Sequence, residues 1–246
     1  ALAKASQVVS MRNAAHPTLT RRSLLIAGLL CVAPLALAQA ATATEAAKRP
    51  RLVIVPLGSG LTRQGLEFVQ QCLEAFYDFE IEVGPYQALP SRCYYAPRRR
   101  YRADKLLDFL EAIAPRDASR IVGLTAVDIS TTKGSVYDWG VLGLATIDGR
   151  IGVLSSFRCQ RGVRSDSDAL VRFGKVAVHE VGHTLGLEHC PTVGCLMEDA
   201  KGTVTTADRE YDLCPLCRAR LKALGREARV QPQIPWPRPT FQSNSR

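Results

Sequence analysis

The stretch Val178-His179-Glu180-Val181-Gly182-His183-Thr184-Leu185-Gly186-Leu187-Glu188-His189-Cys190 decides how this chain is read. As a helix it sets His179 and His183 one turn apart on one face, where two imidazoles can grip the same ion. Glu180 lies beside them, and a carboxylate there can accept a proton from water activated by that ion. Gly186 permits the left-handed turn that ends a helix, so the chain can double back and bring His189 to the ion as a third ligand. Three nitrogen ligands and one open position describe a catalytic zinc site rather than a closed structural one.

The histidine count supports this. Three of the four His fall in this window; the fourth, His16, lies in a segment read below as removed. Every imidazole of the mature chain would then serve one site.

At 246 residues, 46% hydrophobic and 22% charged, the chain can hold one substantial globular domain. Lys4, Arg12, Arg21 and Arg22 account for four of the 32 basic residues and lie in a first 38 residues without an acid. Without them, 28 basic residues stand against 23 acidic ones. A surplus of that size favours solubility and mild attraction to anions, and gives no argument for nucleic acid. Residues 24–38 are an apolar run interrupted by Gly28 and Pro34, too short for a membrane span, and they follow Arg21-Arg22. With Ala36-Leu37-Ala38 as a cleavage site, residues 1–40 read as an export signal, of the twin-arginine type, with Met11 the natural start.

Beyond a linker at 41–50, residues 51–57 read as a buried strand, since Leu52, Val53, Ile54 and Val55 are unbroken and β-prone. Residues 61–77 carry a helical stripe of Leu66, Val69, Leu73 and Phe76, and 79–83 alternate as a half-exposed strand. That order suggests a sheet with crossover helices. A loop at 90–97 leads through Arg98-Arg99-Arg100-Tyr101-Arg102 into a helix striped with Leu106, Leu107, Leu110 and Ile113 and stopped by Pro115. The arginine run reads as a solvated helix entrance rather than an anion site. Residues 121–127 form a third strand. The runs 139–147 and 151–157, joined by Asp148-Gly149-Arg150, form a hairpin whose tight turn puts positive φ at both central positions. One of its strands could rim a cleft and pair with an extended peptide. Residues 166–187 supply the helix that carries the motif.

Four cysteines follow. Cys190 and Cys195, then Cys214-Pro215-Leu216-Cys217, have the spacing of a tetrahedral zinc site of four thiolates. Two disulfides or a redox-active Cys-x-x-Cys pair are the alternatives for an exported protein. With zinc there, the cysteines tie the end of the histidine motif and the start of the last helix to a second ion. Cys72, Cys93 and Cys159 read as buried thiols.

Together, His179-Glu180-x-x-His183-x-x-Gly186-x-x-His189-Cys190, Cys195-Leu196-Met197 and Cys214-x-x-Cys217 resemble the archaemetzincins, a branch of the metzincin zinc peptidases. The resemblance implies that His179, His183 and His189 bind a catalytic zinc, and that Cys190, Cys195, Cys214 and Cys217 bind a structural one. It also implies Glu180 as general base and acid, and Met197 as the Met-turn residue under the metal. Tyr95-Ala96-Pro97-x-Arg99 and the hairpin at 140–158 are similar to that family as well.

The expectation is an α/β, metzincin-like single domain at 51–225, with one twisted mixed β-sheet, an active-site helix, a Met-turn and a C-terminal helix. A Pro-rich tail at 226–246 is expected to be disordered rather than packed as an arm. The function expected is peptide-bond hydrolysis with two Zn2+, one catalytic and one structural; the alternative is a non-catalytic, zinc-stabilised peptide-binding module. The partner is a peptide or protein substrate, with no nucleic acid and no membrane span in the mature chain. A monomer exported to the periplasm or secreted is expected, with the cytoplasm as the alternative.

Overall fold

The computed structural model describes residues 49–226, 228–229 and 232–238; the expected export signal at 1–40 lies outside them. Its elements in chain order are β1 (Arg51–Leu57), α1 (Arg63–Phe76), β2 (Glu80–Val83), β3 (Tyr94–Tyr95), β4 (Arg100–Arg102), α2 (Ala103–Ile113) and β5 (Arg120–Thr125). They continue with β6 (Ile129–Lys133), β7 (Val136–Val141), β8 (Gly143–Ala145), β9 (Ile151–Ser155), α3 (Asp166–Thr184), α4 (Thr206–Arg209) and α5 (Pro215–Ala223). This is the mixed α/β architecture expected.

The main sheet has strand order β2-β1-β5-β9-β8, parallel except for β8, which runs antiparallel to β9 at one edge. A strand covered by helices on both faces has no wet side, which is why β1 reads as a continuous apolar run. Leu52 and Ile54 join the core that α1 and α3 close, whereas Val53 and Val55 join the core that α2 closes. Each such fully buried aliphatic contributes about 1.5–3 kcal/mol.

A second, four-stranded sheet, β3-β4-β6-β7, was not expected from the sequence. The apolar run at 139–147, read as one hairpin strand, is divided between the two sheets. Val141 pairs with Ile129 in the second, while Gly143 pairs with Leu154 in the first. Leu142 alone makes the crossing, its carbonyl accepting from the Ser155 N–H at 2.8 Å. The turn differs too. Residues 147–150 separate the hairpin's last hydrogen bonds, with Asp148 at φ 53° and Gly149 outside the left-handed region. Gly149 serves close approach instead, since a Cβ there would lie 2.5 Å from Thr146 Cβ.

At residues 232–238 the tail differs from the expectation of disorder. Trp236 is buried, stacks on Phe76 with ring centroids 5.5 Å apart, and donates its indole N–H to the Tyr211 carbonyl at 3.0 Å. A large apolar surface close to the sheet layer gives this proline-rich arm a place to dock without helical hydrogen bonds. Among the described residues, no helix is long and apolar enough to cross a membrane.

Candidate active site

Helix α3 carries the site. Its N-cap Ser165 accepts from the Asp168 N–H at 3.2 Å, and Asp166 and Asp168 lie in the first turn, where the helix dipole favours negative charge. At the other end Gly186 takes φ 91°. Its N–H reaches the His183 carbonyl at 2.9 Å, and the Leu187 N–H reaches that of Gly182 at 3.0 Å. This pair of bonds is the Schellman stop that glycine permits. The chain reverses, and His189 returns to the helix.

The structure brings His179, His183 and His189 together, with one ring nitrogen from each within 4.8 Å of the others. His179 Nδ1 lies 2.7 Å from the Leu196 carbonyl and His183 Nδ1 2.6 Å from that of Leu187. A carbonyl only accepts, so each Nδ1 holds the proton and each Nε2 presents a lone pair. The two Nε2 atoms stand 3.0 Å apart. Two lone pairs facing at that distance repel unless a cation lies between them, and tetrahedral zinc at about 2.0–2.1 Å from each nitrogen would separate them by about 3.3 Å. Burial, and then the neighbouring His183, hold His179 down to about 3, and burial also lowers His183. Both rings are therefore neutral at physiological pH, the form that can bind a metal.

Glu180 is buried beside this triad and lines the same cleft of about 380 Å³. Burial pushes its carboxyl up to about 8. The carboxylate fits because β8 opposite begins with glycine: a Cβ on Gly143 would lie 2.4 Å from Glu180 Oε1. Met197 is fully buried under the helix, its Sδ 2.5 Å from where a Gly182 Cβ would be. From behind, Tyr77 donates its hydroxyl to the Val178 carbonyl at 2.8 Å.

The four cysteines also converge, with one sulfur from each inside 4.8 Å. All are free thiols, with Cys190 Sγ 3.6 Å from Cys214 Sγ and Cys195 Sγ 3.7 Å from Cys217 Sγ. Four thiolates around zinc at about 2.3 Å would stand about 3.8 Å apart, whereas a disulfide needs about 2.05 Å. Backbone N–H groups of Thr192, Met197 and Cys214 point at these sulfurs at 3.4–3.5 Å. The Cys217 thiol, helped by the Cys214 and Met197 N–H groups, draws Cys195 down to about 5. The donor set fits zinc.

The clusters are linked by a part that the sequence could not show. Leu196, whose carbonyl fixes the His179 ring, sits directly between Cys195 and Met197. A backbone carbonyl carries no side-chain signature, so neither Leu196 nor Leu187 could be identified as an orienting group. Gly143 could have been suspected only as a glycine inside an apolar strand.

Comparison with known proteins agrees with this geometry. The profile of Peptidase family M54 matches residues 89–223. Archaemetzincin from Halobacterium salinarum is 35% identical over 179 residues, covering 68% of this chain and 97% of that one. Archaemetzincin from Haloquadratum walsbyi is 32% identical over 176 residues with the same coverage. Among solved structures, the archaemetzincin of Methanopyrus kandleri superposes with a TM-score of 0.61 at 28% identity, covering 74% of this chain and 98% of that one. That of Archaeoglobus fulgidus, complexed with malonate, gives 0.59 at 30% identity, covering 69% and 99%. The chain belongs to peptidase family M54, the archaemetzincins, and is a zinc metallopeptidase.

Proposed function

We propose that this chain hydrolyses peptide bonds in the cleft above α3, with His179, His183 and His189 holding a catalytic zinc and Glu180 moving the proton. The observation that carries this reading is the convergence of three imidazole nitrogens beside one buried carboxyl in a single cleft. When bound, zinc supplies a Lewis acid that polarises the scissile carbonyl and makes water acidic near neutral pH. Glu180 takes the proton of the attacking water and returns it to the leaving amine. Burial raises the Glu180 carboxyl, and a cation held by the adjacent imidazoles would favour the charged form that can take the proton. The β8 edge, with Gly143 and Leu144 lining the cleft, offers free main-chain groups to an extended peptide.

Cys190, Cys195, Cys214 and Cys217 hold a second zinc that fixes the Met197 segment, and through the Leu196 carbonyl it orients His179. Residues 1–40 act as an export signal and 51–225 as the peptidase domain, so the enzyme works outside the cytoplasm; Arg21-Arg22 followed by an apolar run supports this. The test is cleavage of a diverse peptide library by the purified protein, with elemental analysis. Two zinc ions per chain are expected, with cleavage lost on chelation and restored by zinc. Two zinc ions without cleavage of any library member would favour the binding-module alternative.

A further inference from the structure

One wall of the cleft carries two arginines, Arg158 and Arg161, that the catalytic reading does not use. Arg158 lies in the short turn after β9, with its guanidinium beneath β7: a Cβ on Gly140 would be 1.8 Å from Nη2. The side chain is nearly buried, yet it lines the cleft. Asp128 receives its Nε at 2.7 Å and its Nη2 at 3.1 Å. Asp128 is shared, however, because Arg100 Nε also meets it at 2.7 Å. Arg100 reaches Asp138 as well, at 2.8 Å, and Arg98 is 3.7 Å from the same carboxylate. Three guanidiniums thus divide two carboxylates.

Arg161, three residues on, adds another cation to the cleft wall. It is exposed and has no carboxylate within ion-pair distance among the described residues. Its backbone is fixed. Arg172 of α3 donates to the Cys159 carbonyl at 3.1 Å and the Arg161 carbonyl at 2.6 Å, while its other nitrogens hold Asp208 of α4. The same arginine therefore clamps the turn, α3 and α4 at this wall of the cleft. Glu198, Asp199 and Glu210 line the cleft as well; Arg209 holds Glu198, and burial raises the Glu210 carboxyl to about 8.

We propose that Arg158 and Arg161 make this wall of the cleft selective for a carboxylate of the peptide, presented by an Asp or Glu side chain or by the C-terminus. Arginine suits the task, because its fork of donors matches a carboxylate and stays charged at every working pH. Arg158, already committed to Asp128, supplies a fixed positive wall. Arg161 supplies the free donors.

The proposal rests on the peptidase reading of the cleft, so its test uses equilibrium binding. Fluorescence anisotropy would be measured with labelled hexapeptides on zinc-loaded protein carrying Glu180→Ala, which keeps bound peptide intact. One arm compares Glu with Gln at each position of C-terminally amidated peptides. The other compares free with amidated C-termini in peptides lacking acidic side chains. The carboxylate form should bind about tenfold more tightly in at least one arm, the scale of one charge-assisted hydrogen bond. That ratio should fall to within about twofold in Arg161→Gln and shrink at high salt. The exposed Arg161 is the variant of choice, because truncating Arg158 strands Asp128 and endangers folding. Preference in the first arm assigns the side chain and in the second the terminus; either supports the proposal. Equal binding in both arms, or a preference untouched by Arg161→Gln, overturns it. The preference in this variant together with no hydrolysis by the parent protein carrying Glu180 contradicts the peptidase reading alone.

Discussion

At the scale of single residues, the site depends on atoms that are missing as much as on those present. Gly143 leaves the space that the Glu180 carboxylate occupies. Gly143→Ala should push that carboxylate aside and lower kcat by at least about a hundredfold, since displacement by an ångström is enough for such a loss. Zinc content by elemental analysis should stay unchanged, because no ligand moves. Glu180 and the three histidines were legible because their chemistry is written in side chains at fixed offsets. Gly143, Leu187 and Leu196 were not, because a missing Cβ or a carbonyl acquires meaning only in three dimensions. A second residue-scale consequence concerns pH. Burial raises Glu210 to about 8 from its ordinary value near 4.5. Its folded form therefore keeps a proton that the unfolded chain releases. The associated stability is intact below about pH 4.5 and is lost as pH rises towards 8. Glu210→Gln should flatten that decline, raising the thermal midpoint at pH 8 relative to the parent while leaving the midpoint at pH 4.5 nearly unchanged.

At the scale of elements, α3 is held at both ends and from beneath. Ser165 caps its start, Gly186 stops it, Met197 packs against Gly182, and Tyr77 grips its backbone. The segment that carries Cys195 also carries the Leu196 carbonyl, so a distortion at the cysteines reaches His179 through one peptide unit. Cys217→Ser should release one zinc and lower the thermal midpoint. It should also reduce kcat/KM by about 10–100-fold, the usual scale for groups that orient metal ligands. Full turnover by a folded Cys217→Ser protein, assayed alongside its zinc content, would refute the coupling. The cysteine spacing suggests that Cys190 joins the two sites through its neighbour His189, and the geometry adds a second connection through Cys195 and the Leu196 carbonyl. Helix α3 itself is readable from the spacing of His179 and His183 and from Gly186, which marks its end. The division of 139–147 between two sheets is not, since an unbroken apolar run carries no mark where it changes partner.

At the scale of the whole molecule, the parallel strands and crossover helices could be read from apolar runs alternating with helical stripes. The second sheet has no clear mark in the sequence because its strands are short and partly exposed, and β4 joins β6 only across the intervening helix α2. The docking of the proline-rich tail is likewise absent from its composition. Composition rules out a helix there but does not reveal that Phe76 and Tyr211 offer Trp236 a stacking surface and a carbonyl. Trp236→Ala should cost about 3–5 kcal/mol in chemical denaturation, as for other buried tryptophans, with little change in KM. The fold thus places one carboxyl, three imidazoles and an open strand edge in a single cleft, with the four-cysteine cluster joined to it through Leu196. That arrangement rests most heavily on Glu180. Its replacement by alanine, followed by elemental analysis and single-turnover cleavage of the best library peptide, tests the account most directly. Zinc content equal to the parent with hydrolysis reduced by at least about ten-thousandfold is expected for loss of the proton carrier. Hydrolysis at the parental rate by the zinc-loaded variant would contradict it.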